Sequence, residues 1–338
     1  MKAKDFSNKI LTGMSIGIVA ALVPSAILGE LSKALGLANI VLITGIAARL
    51  ATFAMGLCIA GQFKMKPIHS VALAVSTMIG SGAIKMIEGS MVLAGLGDVI
   101  NAGITAAVAA LLLLWFGDRF KSYTMILVPT LTIAISGMFG LFTLPYVSMI
   151  TGAVGQFIAW CTTLQPILMG ALISMSFAII IISPISSVAI ALAVSLTGIA
   201  SGAANLGICA AGFGLAIAGF EKNGWGNSLA PVLGSPKLHM ANFLENPKMS
   251  LPLICNAAVL GILAGILGIV GTPMSAGFGI SGLIGPLNHL GIVGYTAGNW
   301  IITILVFVVL PIVLGFVFKY VFFKIFKILS VDDYAIEL

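Results

Sequence analysis

Residues 67–74 read PIHSVALA and residues 184–191 read PISSVAIA, so six of eight positions are identical across 117 residues. The likeness continues, because Ser81-Gly82-Ala83 follows the first phrase and Ser201-Gly202-Ala203 follows the second. A proline fixes φ and lacks an N–H, so proline-led phrases start or interrupt helices. A phrase that occurs twice predicts that the chain is built from two related halves.

The composition places this repeat in a membrane. The 338 residues are 60% hydrophobic and only 8% charged, whereas a soluble domain carries roughly a quarter charged residues. A helix needs about 20 apolar residues to cross the hydrocarbon core. Clear spans of this kind lie at 10–29, 37–61, 91–116, 122–142, 164–182, 249–271 and 294–318. We therefore expect an all-α, polytopic integral membrane protein.

Other apolar segments are interrupted by Gly, Pro and Ser. They lie at 67–87, 145–161, 184–203, 204–220 and 273–290. In a membrane, irregular backbone persists only where protein or a water-filled cavity satisfies its N–H and C=O groups. These segments are therefore expected to be interior broken or re-entrant helices, which brings the total to about 10–12 membrane segments.

The charges predict the orientation. The net charge is +6, and the Lys and Arg residues cluster near the ends of spans. We expect the protein in the plasma membrane, and by the positive-inside rule both termini are expected in the cytoplasm. The long polar loop 221–248 would then lie outside. This pattern does not suggest nucleic acid as a partner, and the four single cysteines have neither metal nor redox spacing.

The repeated phrase extends to a whole order of elements. Residues 122–145 align with 250–273, including Gly137 with Gly265, Gly140 with Gly268 and Pro145 with Pro273. We expect repeat 1 at 37–161 and repeat 2 at 164–290, flanked by residues 1–36 and 291–338. Five crossings in each copy would place the second copy upside down. Inverted repeats with broken helices indicate a transporter that binds solute near the midplane.

Candidate solute-binding residues lie in the broken segments. Hydroxyl and imidazole groups follow the two prolines, and TPMSAGFG can begin a half-helix that presents free N–H groups to a solute. The alternative is local capping and packing. The residues are His69, Ser70, Ser186, Ser187, Thr272 and Ser275.

Polar residues inside apolar stretches add three candidates. Asp98 has Asn101 three residues later, and a carboxylate in such a stretch is costly and points to function. A carboxylate at a helix end is the alternative. Asn205 aligns with Lys85 in the repeat, and Arg49 is expected in the middle of a span. We expect neither catalytic residues nor a cofactor nor a metal site.

Several longer motifs resemble one membrane family, phosphotransferase-system enzyme IIC type 2, which includes perfringolysin-O (toxin) regulator-like proteins. The resemblance rests on SPISSVAIA (183–191), SGAANLGI (201–208), AGFGLAIAGFEKNGWGNSLA (211–230), GSPKLHMAN (234–242), GTPMSAGFGISGLIGPL (271–287) and GLGDVINAGIT (95–105).

The resemblance implies a permease for a small polar or anionic solute such as a sugar, and a homodimer surrounded by membrane lipids. Such permeases work with phosphoryl-carrying IIA and IIB units, which are expected here as separate chains if they exist. Only then would transport be group translocation, so the chain is expected to be a transporter and not an enzyme. The toxin-regulator likeness leaves a membrane sensor of gene expression as the alternative.

Overall fold

The computed structural model describes residues 3–117 and 119–336. These form two compact units. Unit 1 contains the residues up to Ser25 together with Ala38–Ile150, and unit 2 contains Ala26–Leu37 together with the residues from Thr151 onward.

Unit 1 is helical except for one hairpin. Its elements are most of α1 (Ala3–Ala34), then α2 (Ala38–Arg49), α3 (Ala51–Gln62), α4 (Pro67–Gly80), β1 (Ile84–Ile87), β2 (Ser90–Leu93), α5 (Val99–Phe116) and most of α6 (Thr124–Cys161), with a 3₁₀ turn at Lys121–Tyr123. The strands β1 and β2 are antiparallel.

Three predicted segments of unit 1 differ from the structure. The span 37–61 is a pair of helices, α2 and α3, bent by 53°, and Arg49 is the exposed last residue of α2, at the bend. The span 91–116 becomes a helix only at Val99, because residues 90–93 pair with β1.

The third difference concerns Pro145, where we expected a break. Here α6 continues through both Pro129 and Pro145 for 38 residues. At 1.5 Å per residue it is roughly 57 Å long. A proline removes one hydrogen bond from a helix, and in this apolar segment the helix carries on past it.

Unit 2 contains the ends of α1 and α6 and eight further helices. These are α7 (Pro166–Ile182), α8 (Ser187–Ala193), α9 (Gly198–Leu233), α10 (Met240–Glu245), α11 (Leu251–Leu267), α12 (Ile284–Val293), α13 (Ala297–Ile304) and α14 (Leu310–Tyr320). The π-helical turns are Leu305–Val309 and Val321–Ile325, and the 3₁₀ turns are Pro236–His239, Pro247–Ser250, Ser281–Leu283 and Val331–Tyr334.

Helices α7, α9 and α11 pack around the core of unit 2. Glycines permit their close approach: a Cβ at Gly170 would collide with the Gly261 carbonyl, and one at Gly207 would collide with the backbone of Ser174. Small residues at such crossings are typical of helices in membranes. The glycine-rich segment 204–220 is therefore continuous within α9, and our prediction that it is broken was wrong. The only non-helical backbone inside α9 is at Gly224.

The all-α, polytopic character is confirmed. Among the described residues, five helices are long and apolar enough to cross a membrane: Val99–Phe116, Lys121–Cys161, Gly198–Leu233, Pro247–Leu267 and Ala297–Ile325. The number is six if the α2–α3 pair forms one span. Other predicted segments correspond to shorter or interrupted helices, among them α4, α7, α8 and α12.

The C-terminal tail folds onto the loop 221–248. The side-chain amide of Asn242 donates to the carbonyls of Asp333 and Ala335 at 3.3 and 2.8 Å, and Asn223 donates to the Tyr334 carbonyl at 2.8 Å. The Tyr334 hydroxyl is fully buried and donates to the Met249 carbonyl. The loop and the tail therefore share one side of the membrane, and placing the loop outside with the tail inside was wrong.

Gly170→Ala is expected to destabilise unit 2 by about 1–3 kcal/mol, because the added methyl meets a rigid carbonyl. Gly152→Ala is the matched control, since a Cβ there meets nothing within 4 Å, and it is expected to be neutral or slightly stabilising. Thermal unfolding in nanodiscs measures both variants. Equal unfolding temperatures for the two would contradict the close packing of α7 against α11.

The shared side of loop and tail predicts a labelling pattern. Single cysteines replacing Trp225 and Asp332, in a background without the four native cysteines, should react with a membrane-impermeant maleimide from the same side of intact vesicles. Trp225 is 75% exposed and the side chain of Asp332 is 74% exposed, so protein covers neither site, and Trp225 follows the kink of α9 at Gly224. Labelling from opposite sides would show that the tail does not lie on the loop.

Candidate functional site

Asn101 is the buried centre of the polar contacts in unit 1. Its side-chain amide donates to the carbonyl of Gly80 and, at 2.8 Å, to that of Gly140, while its oxygen accepts from Thr143 at 2.7 Å. Asp98 is the N-cap of α5 and accepts from the Asn101 N–H at 2.9 Å. The side chain of Asp98 therefore serves a helix end, the alternative considered from the sequence.

His69 and Ser70 lie elsewhere in unit 1. Both are in the first turn of α4, where His69 is buried and the Ser70 hydroxyl donates to the Lys66 carbonyl at 3.2 Å. Gly80 lies eleven positions after His69 in α4, so the two residues are roughly 16 Å apart along the helix axis. Unit 1 thus does not bring His69 and Ser70 together with Asn101.

The repeated phrase starts its helix at different positions in the two copies. In the first copy Pro67 is itself the first residue of α4. In the second, Pro184 lies outside any helix, Ser183 before it is extended, and Ser186 caps α8 by accepting from the Ala189 N–H at 3.2 Å. An extended residue before proline is the usual geometry, and the serine supplies the cap that an imidazole does not.

In unit 2 most of the candidates meet in one network. The Ser201 hydroxyl donates to the Thr272 carbonyl at 2.8 Å, and Ser275 lies 3.4 Å from both Ser201 and the Asn205 amide. The Asn205 oxygen accepts from the Gly279 N–H at 3.0 Å. Because residues 268–283 are not α-helical, these side chains take over the backbone hydrogen bonds that a helix would make.

Further contacts join this network to the helix break at 183–187. The Ser187 hydroxyl donates to the Gly277 carbonyl at 2.9 Å, and Ser281 donates to the Gly234 carbonyl at 2.8 Å. The Lys237 ammonium nitrogen lies 2.7 Å from the carbonyls of both Ser183 and Ile185. We call the segments 183–187, 201–205, 234–237 and 271–289 the polar junction of unit 2.

The polar junction includes residues that sequence reasoning missed. The Asn288 oxygen accepts from the Thr272 N–H at 3.0 Å and from the Ser275 hydroxyl at 2.9 Å. The His289 ring accepts from the Val270 N–H at 3.1 Å. The signal was available, since Asn288 and His289 are adjacent polar residues inside an otherwise apolar α12.

Two residues of the junction remain open to a solute. The Thr272 hydroxyl and the Asn288 amide nitrogen form no hydrogen bond to another described residue, and both residues are partly exposed. They are rigidly placed, because the Thr272 N–H and carbonyl and the Asn288 oxygen are all engaged. Uncharged donors held in this way suit a hydroxyl-rich solute.

Two basic side chains at 236–239 are shielded from water and lie outside the candidate membrane spans. Burial lowers the pKa of Lys237 to about 7. It also lowers the pKa of His239 to about 4, although the backbone of Tyr334 acts in the opposite direction. His239 is therefore neutral at physiological pH, and Lys237 is close to its midpoint.

The two buried asparagines lie in similar stretches of sequence that the offset of 117 does not align. Residues 101–107 read NAGITAA and 205–211 read NLGICAA, five of seven identical at an offset of 104. Each asparagine bonds the backbone of a Phe-Gly pair, at Gly140 in one unit and Gly279 in the other. Lys85, which we aligned with Asn205, is exposed on β1, whereas Asn205 is buried in α9.

The fold and the site together define a multi-pass membrane protein whose interior carries uncharged hydrogen-bonding groups. Among residues 3–117 and 119–336 no three metal-ligating side chains cluster. The chain belongs to the family described as Phosphotransferase system, EIIC, which it matches over residues 8–336. Membership of this family implies a sugar-specific membrane permease, a transporter component. No curated protein and no solved structure matches it.

Asn205→Ala is expected to lower the free energy of unfolding by about 1–3 kcal/mol, because the buried Gly279 N–H loses its acceptor. Asn227→Ala is the control, since Asn227 is only partly buried and no hydrogen bond from its side chain occurs among the described contacts. Thermal unfolding in nanodiscs compares them. Similar losses in both variants would contradict the central position of Asn205.

Proposed function

We propose that this protein transports a small polar solute, a sugar or a sugar-derived metabolite, and that the polar junction of unit 2 binds it. The observation that carries this proposal is the pair of unengaged donors, the Thr272 hydroxyl and the Asn288 amide nitrogen. Their own backbone and oxygen atoms are fixed by Ser201 and Ser275. Groups fixed before the solute arrives lose little conformational freedom on binding.

We further propose that transport proceeds by alternating access of the two repeats, 37–161 and 164–290. The helix break at 183–187 and the irregular segment 268–283 support this, because non-helical backbone can rotate where a helix cannot. The hydrogen bonds from Ser187 to Gly277 and from Ser281 to Gly234 link the movable segments. Movement at one break would therefore be transmitted to the other.

Partners and orientation complete the proposal. Membership of the EIIC family supports separate IIA and IIB phosphocarriers, and we retain the homodimer and the cytoplasmic termini as proposals. Because the tail lies on the loop 221–248, a cytoplasmic tail places this loop in the cytoplasm as well. The loop is then available to a soluble phosphocarrier.

Asn288→Asp tests the binding role. The variant keeps an oxygen that accepts from Thr272 and Ser275 but replaces the amide donor with a charged carboxylate oxygen. It should bind solute more weakly by at least about tenfold, the cost of one lost hydrogen bond at a polar site, and its unfolding temperature shows whether the added charge disturbs the fold. Uptake of labelled sugars into proteoliposomes, with and without phosphoenolpyruvate and phosphocarriers, gives the apparent KM. Asn227→Asp makes the same chemical change in the polar loop and serves as the control.

Three outcomes are informative. Weaker binding in Asn288→Asp alone supports the site, and equal KM values in the two variants remove Asn288 from it. If no sugar enters under any ion gradient, with or without phosphoenolpyruvate, the transport function itself is contradicted.

A further inference from the structure

Lys237 is a lysine in an environment that offers no counter-charge. It is 4% exposed, and no carboxylate of a described residue forms an ion pair with it. A buried charge is normally paired, because removing it from water costs several kcal/mol. A buried lysine without a counter-charge is therefore a candidate for a functional residue.

The hydrogen bonds around Lys237 fit a neutral amine. The nitrogen has two acceptors among the described residues, the carbonyls of Ser183 and Ile185, each at 2.7 Å. A neutral amine has two N–H donors and an ammonium has three. The third N–H of an ammonium would be buried without an acceptor, which is costly.

Neighbouring charges do not offset this. Helices α7, α9 and α10 pack against 236–239, and the tail reaches His239 through the backbone of Tyr334. Helix α7 carries no titratable residue, and the tail carboxylate of Asp333 accepts from Asn246 and Ser330. The charged residues of α9 pair elsewhere, Glu221 with Lys319 and Lys222 with Asp332, and Glu245 of α10 is exposed. His239 lies on the same turn and is neutral at physiological pH. Cys209 of α9 is buried and uncharged.

We propose that Lys237 is a proton-binding site of the transport cycle: it binds a proton weakly while the polar junction is closed as described here, and tightly when the junction opens. The inference rests on the proposed transport function, because opening of the junction is the step that would move the solute. It adds that this step binds a proton.

The direction of the pH dependence follows from linkage. Burial lowers the pKa of Lys237 from 10.5 to about 7, whereas an open junction restores contact with water and the higher value. The open state therefore binds the proton more tightly, and protonation favours opening. As pH rises from about 7 towards 10.5 the closed junction gains stability, by at most about tenfold in population per pH unit for one proton.

Amide hydrogen exchange in nanodiscs tests this without any solute. The reporters are the amides of Ala189 and Ile190, which bond to Ser186 in the first turn of α8. Exchange is measured from pH 6 to 9 and corrected for the intrinsic rate at each pH. The wild-type protein should show nearly constant protection below about pH 6.5 and a rise approaching tenfold per pH unit above pH 7.

Two substitutions fix the charge. Lys237→Met is neutral at every pH, and Lys237→Arg is charged at every pH, so both should lose the pH-dependent rise, with lower protection in Lys237→Arg. The amide of Ile336, in the tail, donates to the side chain of Asn223 in α9. Its protection reports that unit 2 is folded and should be the same in every variant. If Lys237→Met does not fold, Lys237→Gln provides the neutral variant.

The outcomes separate the two proposals. A wild-type protein without the rise, or a Lys237→Met variant that keeps it, overturns the proton site. If the rise depends on Lys237 but no sugar is transported, the proton site stands as a proton-linked opening and only the transport function is contradicted.

Discussion

The structure of unit 2 depends on one constraint: in an apolar interior, backbone N–H and C=O groups outside a helix must find another partner. The helix break at 183–187 and the irregular segment 268–283 both expose such groups. Ser187, Ser201, Asn205 and Lys237 satisfy several of them by reaching across from other segments. The motifs that lie far apart in the sequence are therefore spatial neighbours, because each supplies what another lacks.

The same constraint explains the difference between the two proline-led phrases. Where the sequence has Ser186, a side-chain oxygen caps α8 and the helix can begin late, leaving residues 183–186 as a non-helical link. Where it has His69, that cap is missing and α4 begins at Pro67 itself. The two phrases thus differ in where their helix begins: at the proline in the first and three residues after it in the second.

The sequence predicted the membrane class, the helical content and the breaks near Pro184 and Pro273, since composition and proline act locally. It failed at Pro145 and at 204–220, where proline and glycine occur inside continuous helices. In α9 the glycines serve close packing, as at Gly207 against the Ser174 backbone, and sequence alone does not distinguish a glycine that packs from one that bends. The role of Lys237 was missed because its partners are backbone carbonyls of a distant segment, whereas Asn288 was a visible signal, a polar residue in an apolar helix.

The two buried asparagines, Asn101 and Asn205, make similar contacts in different backbone settings. Asn101 and Asn205 each hold a Phe-Gly pair of another segment, but Gly140 lies within the continuous helix α6 whereas Gly279 lies in irregular backbone with φ of 61°. In unit 1 the asparagine therefore reinforces a helix crossing, and in unit 2 it stabilises a turn that would otherwise have no partner for its N–H. A buried amide can serve both, because it donates and accepts. A buried amide can therefore support a broken segment as well as a helix crossing, and broken segments near the midplane are where transporters bind their solutes.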